Sequence, residues 1–187
     1  MVRTDNPVPS IRRRLAALPY EFLLILALLL IAAFPLAGLK GATLHGFAHV
    51  LAQAYFLSVA AAYFTWFWRR GGQTLAMKTW RFRVITENGR ALTFARALAR
   101  FACAGIFYGP AVAGILLLLF PNRISPVIAM WAFLPMIATI LWARFDSDHQ
   151  FLHDRIVGTR LVSVTAPDET PLDETRIPSA PAAPPPT

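Results

Sequence analysis

Glu21 is the only acidic residue inside a long apolar run of this chain. A carboxylate in hydrocarbon is costly, so it is there either with a partner or for a function. Arg14 precedes it by seven residues, two helical turns, on roughly the same face. Two readings stand: a carboxylate near the interface that pairs with an arginine, or a group that titrates along an ion or proton pathway. A second set of chemical groups, Asp146, Asp148, His149, His153 and Asp154, follows the last apolar run. Its types would suit a metal or an acid–base pair, but nothing beside it supplies a nucleophile. There is no Gly-rich phosphate loop and no Ser-His-Asp or Cys-His arrangement at meaningful spacing. His45, His49 and Gln53 share one helix face at i, i+4 and i+8, yet no third metal ligand lies on their side. The residues therefore predict no enzyme, no catalytic residue, no metal and no cofactor.

The elements that must position these groups are four apolar runs, about Leu15–Gly38, Gly46–Trp68, Leu98–Phe120 and Ile124–Ala143. Each approaches the roughly 20 residues that a helix needs to cross a bilayer. All but two of the 18 Lys and Arg residues fall in the N-terminal arm, the second connection and the C-terminal segment. The exceptions are Lys40 and Arg123. Cytoplasmic loops carry the excess of Lys and Arg, which predicts four spans with both termini in the cytoplasm. The runs do not alternate apolar with polar residues, which argues against a membrane β-barrel. Hydrophobic residues make up 56% of the chain, above a globular domain's share. The net charge of +8 lies at span boundaries. It points to topology and to contacts with anionic lipid heads at the cytoplasmic face, not to nucleic acid. Cys103, the single cysteine, excludes an intramolecular disulfide and reads as a packing residue. The first run is about twice the length of a signal h-region, so it reads as an uncleaved anchor rather than an export signal.

Residues 1–10 read as loose, and Leu39–His45 as a short turn. Pro19 falls in a tolerant first turn or kinks the first helix, and Pro135 should kink the fourth. Tyr63, Phe64, Trp66, Phe67 and Trp68 precede Arg69 and Arg70, the mark of a cytoplasmic interface. Trp80–Val84 alternates apolar with basic residues as a half-buried strand does. Asn88-Gly89 is a tight-turn signal, and Thr93 is placed as an N-cap before an amphipathic lead-in to the third span. Gly105, Gly109 and Ala113 form a stripe of small residues that favours close helix packing, within the monomer in preference to a dimer. From residue 166 to 187, prolines and acidic residues predict a disordered tail.

Several segments together resemble the RDD family of bacterial membrane proteins. Arg14-Leu15-Ala16-Ala17 with Glu21 resembles its opening. Gly72-Gln73-Thr74-Leu75-Ala76-Met77-Lys78, then Phe82-Arg83-Val84-Ile85, resembles its middle, as do Glu87–Arg90 and Leu92–Ala97. Leu152-His153-Asp154-Arg155-Ile156-Val157-Gly158-Thr159-Arg160-Leu161-Val162 resembles its closing motif. The resemblance spans roughly residues 10–165 and marks Arg14, Glu21 and Asp154 as its charge cluster, with Gln73, Thr74, Lys78, His153, Gly158 and Thr159 supporting. Glu21 stands where the family has aspartate, and Ala76 where it usually has glycine. The resemblance implies a membrane domain over 1–165 and transport of an unspecified ligand. The resulting expectation is an all-α four-helix transmembrane bundle with a small cytoplasmic strand-turn insertion. It would be a small transporter or transporter component for an ion or small solute. The rival is a non-catalytic scaffold or accessory subunit. Either would act as a homo-oligomer or with a membrane-protein partner. Arg14, Glu21 and Asp154 should meet at the cytoplasmic end.

Overall fold

The computed structural model describes residues 7–37, 46–119 and 126–164. Its order is α1 (Ile11–Ala37), α2 (Phe47–Arg70), α3 (Leu75–Thr79), β1 (Phe82–Thr86), α4 (Phe94–Leu119), α5 (Pro126–Trp131), α6 (Leu134–Phe145), α7 (Leu152–Val157) and β2 (Thr159–Ser163). Three helices are long and apolar enough to cross a membrane: Ile11–Leu36, Phe47–Arg70 and Phe94–Leu116. Their side chains are mostly uncovered within the chain, as expected of helices whose apolar solvent is lipid. The molecule is thus mostly helical, with a small two-stranded sheet.

The fourth apolar run is not one long helix. It breaks between Trp131 and Leu134 into α5 and α6. Pro135 stands at the start of α6, where its missing N–H costs nothing, so it opens a helix instead of bending one. Pro19 lies well inside α1, because the helix already starts at Ile11. Ser10 opens that helix: its hydroxyl accepts from the Arg13 N–H at 3.4 Å and its carbonyl from the Arg14 N–H at 3.2 Å. Arg12, Arg13 and Arg14 are therefore helical. The arm before them is also fixed from Pro7 onward. The Pro7 carbonyl accepts from the Ser163 N–H at 2.8 Å, and Pro9 is buried. Leu39–His45 and the 166–187 tail lie outside the described residues.

The strand read from Trp80–Val84 forms as β1. Its partner is not a neighbour in sequence but β2, antiparallel, from Phe82↔Ser163 to Thr86↔Thr159. Both outer edges are covered. On β1, Val84 N–H donates to the Gly72 carbonyl at 2.7 Å, and the Gln73 amide donates to the Phe82 carbonyl at 2.9 Å. On β2, Leu161 N–H donates to Gln150 Oε1 at 2.9 Å. Gly72 has φ 70, and a side chain there would run into the Val84 carbonyl, so the turn into β1 requires glycine. Ala76, by contrast, is helical and buried within α3; its position needs no glycine.

The buried core lies at one end of the helices. Ala17 from the start of α1, Trp68 from the end of α2, Ala97 from the start of α4 and Ala143 from the end of α6 meet Phe82, Val84, Leu92, Phe151 and Leu161. The sheet and α7 thus cap the end where the arginines are concentrated. Among the described residues, a Cβ at Gly105 or Gly109 would meet nothing within 4 Å, and Ala113 is exposed, so this stripe packs against none of the described helices. Close approach happens instead at Gly114, which faces the Ala129 carbonyl, Ala132 and Phe133.

Candidate functional site

Of the three charged residues singled out from the sequence, Arg14 and Asp154 share a neighbourhood with Arg100 and His153 without pairing with each other, and Glu21 is bonded to Thr74 instead. Arg14 is 2% exposed and, among the described residues, pairs with no carboxylate. Its Nε donates to the Pro9 carbonyl at 2.9 Å and one terminal nitrogen donates to the His149 carbonyl at 2.7 Å. Its guanidinium also lies 5.2 Å from the centroid of the Phe151 ring. Arg14 therefore ties the N-terminal arm to the loop before α7 through carbonyl dipoles. Running parallel to it, Arg13 donates to the carbonyls of Trp80 and Arg81.

Asp154, fully buried, pairs with Arg100 of α4 and not with Arg14. Thr159 sits between them: its hydroxyl accepts from Arg100 at 2.9 Å and lies 3.1 Å from Asp154 Oδ1 as donor. Arg100 also lies 4.9 Å from the Trp68 ring centroid. One ion pair thus joins α4, α7 and β2 to the end of α2. Gly158 makes the geometry possible. It ends α7 in the left-handed conformation at φ 69, returning the chain directly into β2. His153, beside Asp154, is enclosed by Phe107, Tyr108 and Phe151. Burial, then the positive fields of Arg100 and Arg14, hold its imidazole well below the ordinary value of 6.5. It is neutral at physiological pH, so its 3.7 Å approach to Asp154 Oδ2 is not an ion pair.

Glu21 occupies a different setting. Its Oε2 accepts from the Thr74 hydroxyl at 2.5 Å. Thr74 is fully buried as the N-cap of α3, and the same oxygen accepts from the Met77 N–H at 3.2 Å. One hydroxyl therefore caps a helix and holds a carboxylate. The Tyr63 hydroxyl faces the Glu21 carboxylate as a second neutral donor, and both it and Glu21 Oε1 are buried. Among the described residues, no arginine or lysine pairs with Glu21. The carboxylate is positioned by neutral donors, a setting that leaves its protonation open to change.

The remaining expected groups separate. Asp146 and Asp148 both pair with Arg155, at 3.2 and 3.0 Å, Asp146 with its side chain nearly buried and Asp148 exposed. His149 is held by the Ala143 carbonyl, and His49 contacts Gln53 at 3.0 Å on an exposed face. His45 lies outside the described residues. Among the described residues, no three His, Cys, Asp or Glu side chains gather as a metal site would need. Gln73 braces β1, while the side chain of Lys78 is exposed.

Sequence reasoning missed Arg100, which lies in the amphipathic lead-in to the third span. Its signal was available: it falls inside the third apolar run, three residues after Ala97, on the face that Ala97 buries. Gln150 was also missed. Buried, it holds the β2 edge and gives no signal beyond its type.

A three-helix apolar framework capped by a small sheet, with charged motifs folded against one end, defines a polytopic membrane protein. The RDD family model matches residues 8–158, and the chain belongs to that family. No curated protein and no solved structure matches it.

Proposed function

We propose that this chain is a non-catalytic, four-span protein of the bacterial inner membrane that moves an ion or small solute, with Glu21 as the titrating group. The single observation that carries this reading is the buried Glu21 carboxylate, held by the neutral hydroxyls of Thr74 and Tyr63 and, among the described residues, without a cationic partner. An intramembrane carboxylate that is not neutralised by a cation can exchange a proton with a passing ion.

Two features support the topology. The Lys and Arg partition favours both termini in the cytoplasm. The core gathers the start of α1, the end of α2, the start of α4 and the end of α6 at one end, as two antiparallel hairpins would. In this reading α5 and α6 together make the fourth crossing. A single protomer encloses little interior, and the uncovered Gly105–Gly109–Ala113 face fits a second copy of the chain. That same uncovered face favours the second reading, an accessory subunit whose partner supplies the missing helix.

The experiment is flux in proteoliposomes under a pH gradient, across a panel of monovalent cations. Wild-type protein should carry flux that Glu21→Gln abolishes and Glu21→Asp partly retains. Flux unchanged in Glu21→Gln would refute the role of the carboxylate. Cysteine probes at positions 40 and 123 should react from outside the cell, and one at position 90 should not; external labelling at 90 would overturn the topology. A stoichiometric foreign protein after mild solubilisation would favour the accessory reading over transport.

A further inference from the structure

We infer that the junction of α2 and α4 is a binding site for the phosphodiester headgroup of an anionic phospholipid. A shallow pocket of about 250 Å³ opens there, lined by Trp66, Arg69, Arg70 and Leu92. Both arginines are exposed, and among the described residues neither has a carboxylate partner. Each guanidinium is held by an aromatic face instead: Arg70 lies 4.4 Å from the Trp66 centroid, and Arg69 lies 5.8 Å from that of Phe94. Stacking fixes the plane of a guanidinium but leaves its N–H groups free, and those match two phosphate oxygens.

The surroundings add to the same preference. Leu92 leads into the N-terminus of α4, whose helix dipole places positive potential beside the pocket. On the membrane side, Trp66 is 57% exposed and Leu98, one turn below Phe94, is 41% exposed. They offer an apolar track for an acyl chain continuous with the headgroup site. A free phosphate would use the arginines and leave this track bare, which favours the lipid. The inference is independent of the role of Glu21.

The test is native mass spectrometry of the full chain in mild detergent, titrated with phosphatidylglycerol, phosphatidylcholine or inorganic phosphate. Wild-type protein should retain phosphatidylglycerol in preference to phosphatidylcholine, and millimolar phosphate should not displace it. Losing the charge-assisted bonds in Arg69→Gln/Arg70→Gln should weaken that retention about tenfold or more. Arg12→Gln/Arg83→Gln, an equal loss of exposed charge elsewhere, should leave it unchanged. Arg70→Lys keeps the charge without the planar fork and should fall between, so it decides the matter if the double variant fails to fold. Equal retention of both lipids, displacement by phosphate, equal losses in the two double variants, or wild-type retention in Arg70→Lys would each overturn the assignment.

Discussion

Asp154 and Glu21 are both acidic residues drawn into this molecule, and the chain treats them in opposite ways. Asp154 is fully buried against Arg100 and Thr159, so its charge is neutralised and its position is shared by three elements. Glu21 meets the hydroxyls of Thr74 and Tyr63 and, among the described residues, no cation. A carboxylate locked by an arginine resists protonation, whereas one held by neutral donors can gain a proton without stranding a partner. The contrast separates a residue that fastens the fold from one that is available for function.

The comparison can be broken most forcefully at its locked end. Asp154→Ala leaves Arg100 buried without its counter-charge and should destabilise the protein by about 3–5 kcal/mol. Thermal unfolding in detergent measures this; a loss below about 1 kcal/mol would show that Asp154 is not the fastening. Replacing the pair together, as Arg100→Met/Asp154→Leu, should cost markedly less than Asp154→Ala, because no charge is stranded. At the other end, Thr74→Val removes both the α3 cap and the bond to Glu21, for a loss of about 1–2 kcal/mol that Thr74→Ser restores. Glu21→Gln should change stability least of these, by under about 1 kcal/mol, since it keeps an acceptor for the Thr74 hydroxyl. A loss as large as that of Asp154→Ala would erase the distinction between the two sites.

His153 sharpens the contrast through pH. Its imidazole is held neutral by burial and by Arg100 and Arg14, below the ordinary value of 6.5. The unfolded chain therefore binds a proton before the folded one does as pH falls. The stability is fully present above about pH 6.5 and declines as the pH drops further toward the depressed folded value. Melting temperature followed from pH 7.5 to about pH 5 should fall, and His153→Gln should flatten that slope. An unchanged slope would remove His153 as its source.

The sequence made the apolar helices legible because membrane length and charge asymmetry are properties of contiguous residues. It also exposed β1 and the turn at Gly89, whose signals are local. The Gly89 N–H donates to the Thr86 carbonyl at 2.9 Å, and Thr93 caps the Arg96 N–H at 3.4 Å. What it concealed were pairings across long separations. Nothing in Phe82–Thr86 announces that its partner is Thr159–Ser163, and nothing around Asp154 names Arg100 over Arg14. Two arginines at comparable depth are equivalent to a charge count; which one meets the aspartate is decided by how α7 seats against α4. The stripe of Gly105, Gly109 and Ala113 misled for the same reason. Small residues permit a close approach but do not choose the helix that makes it, and inside this chain Gly114 was used instead.

The pairing of β1 with β2 also sets an order in time. The ribosome delivers Phe82–Thr86 and Arg100 long before Asp154 and Thr159–Ser163. Until β2 emerges, β1 has an open edge, and until Asp154 emerges, Arg100 lacks this counter-ion. A chain stopped before Asp154 would lack both partners, and one stopped between Asp154 and Thr159 would lack only the strand. The cap therefore closes in two steps, the ion pair being available before the sheet.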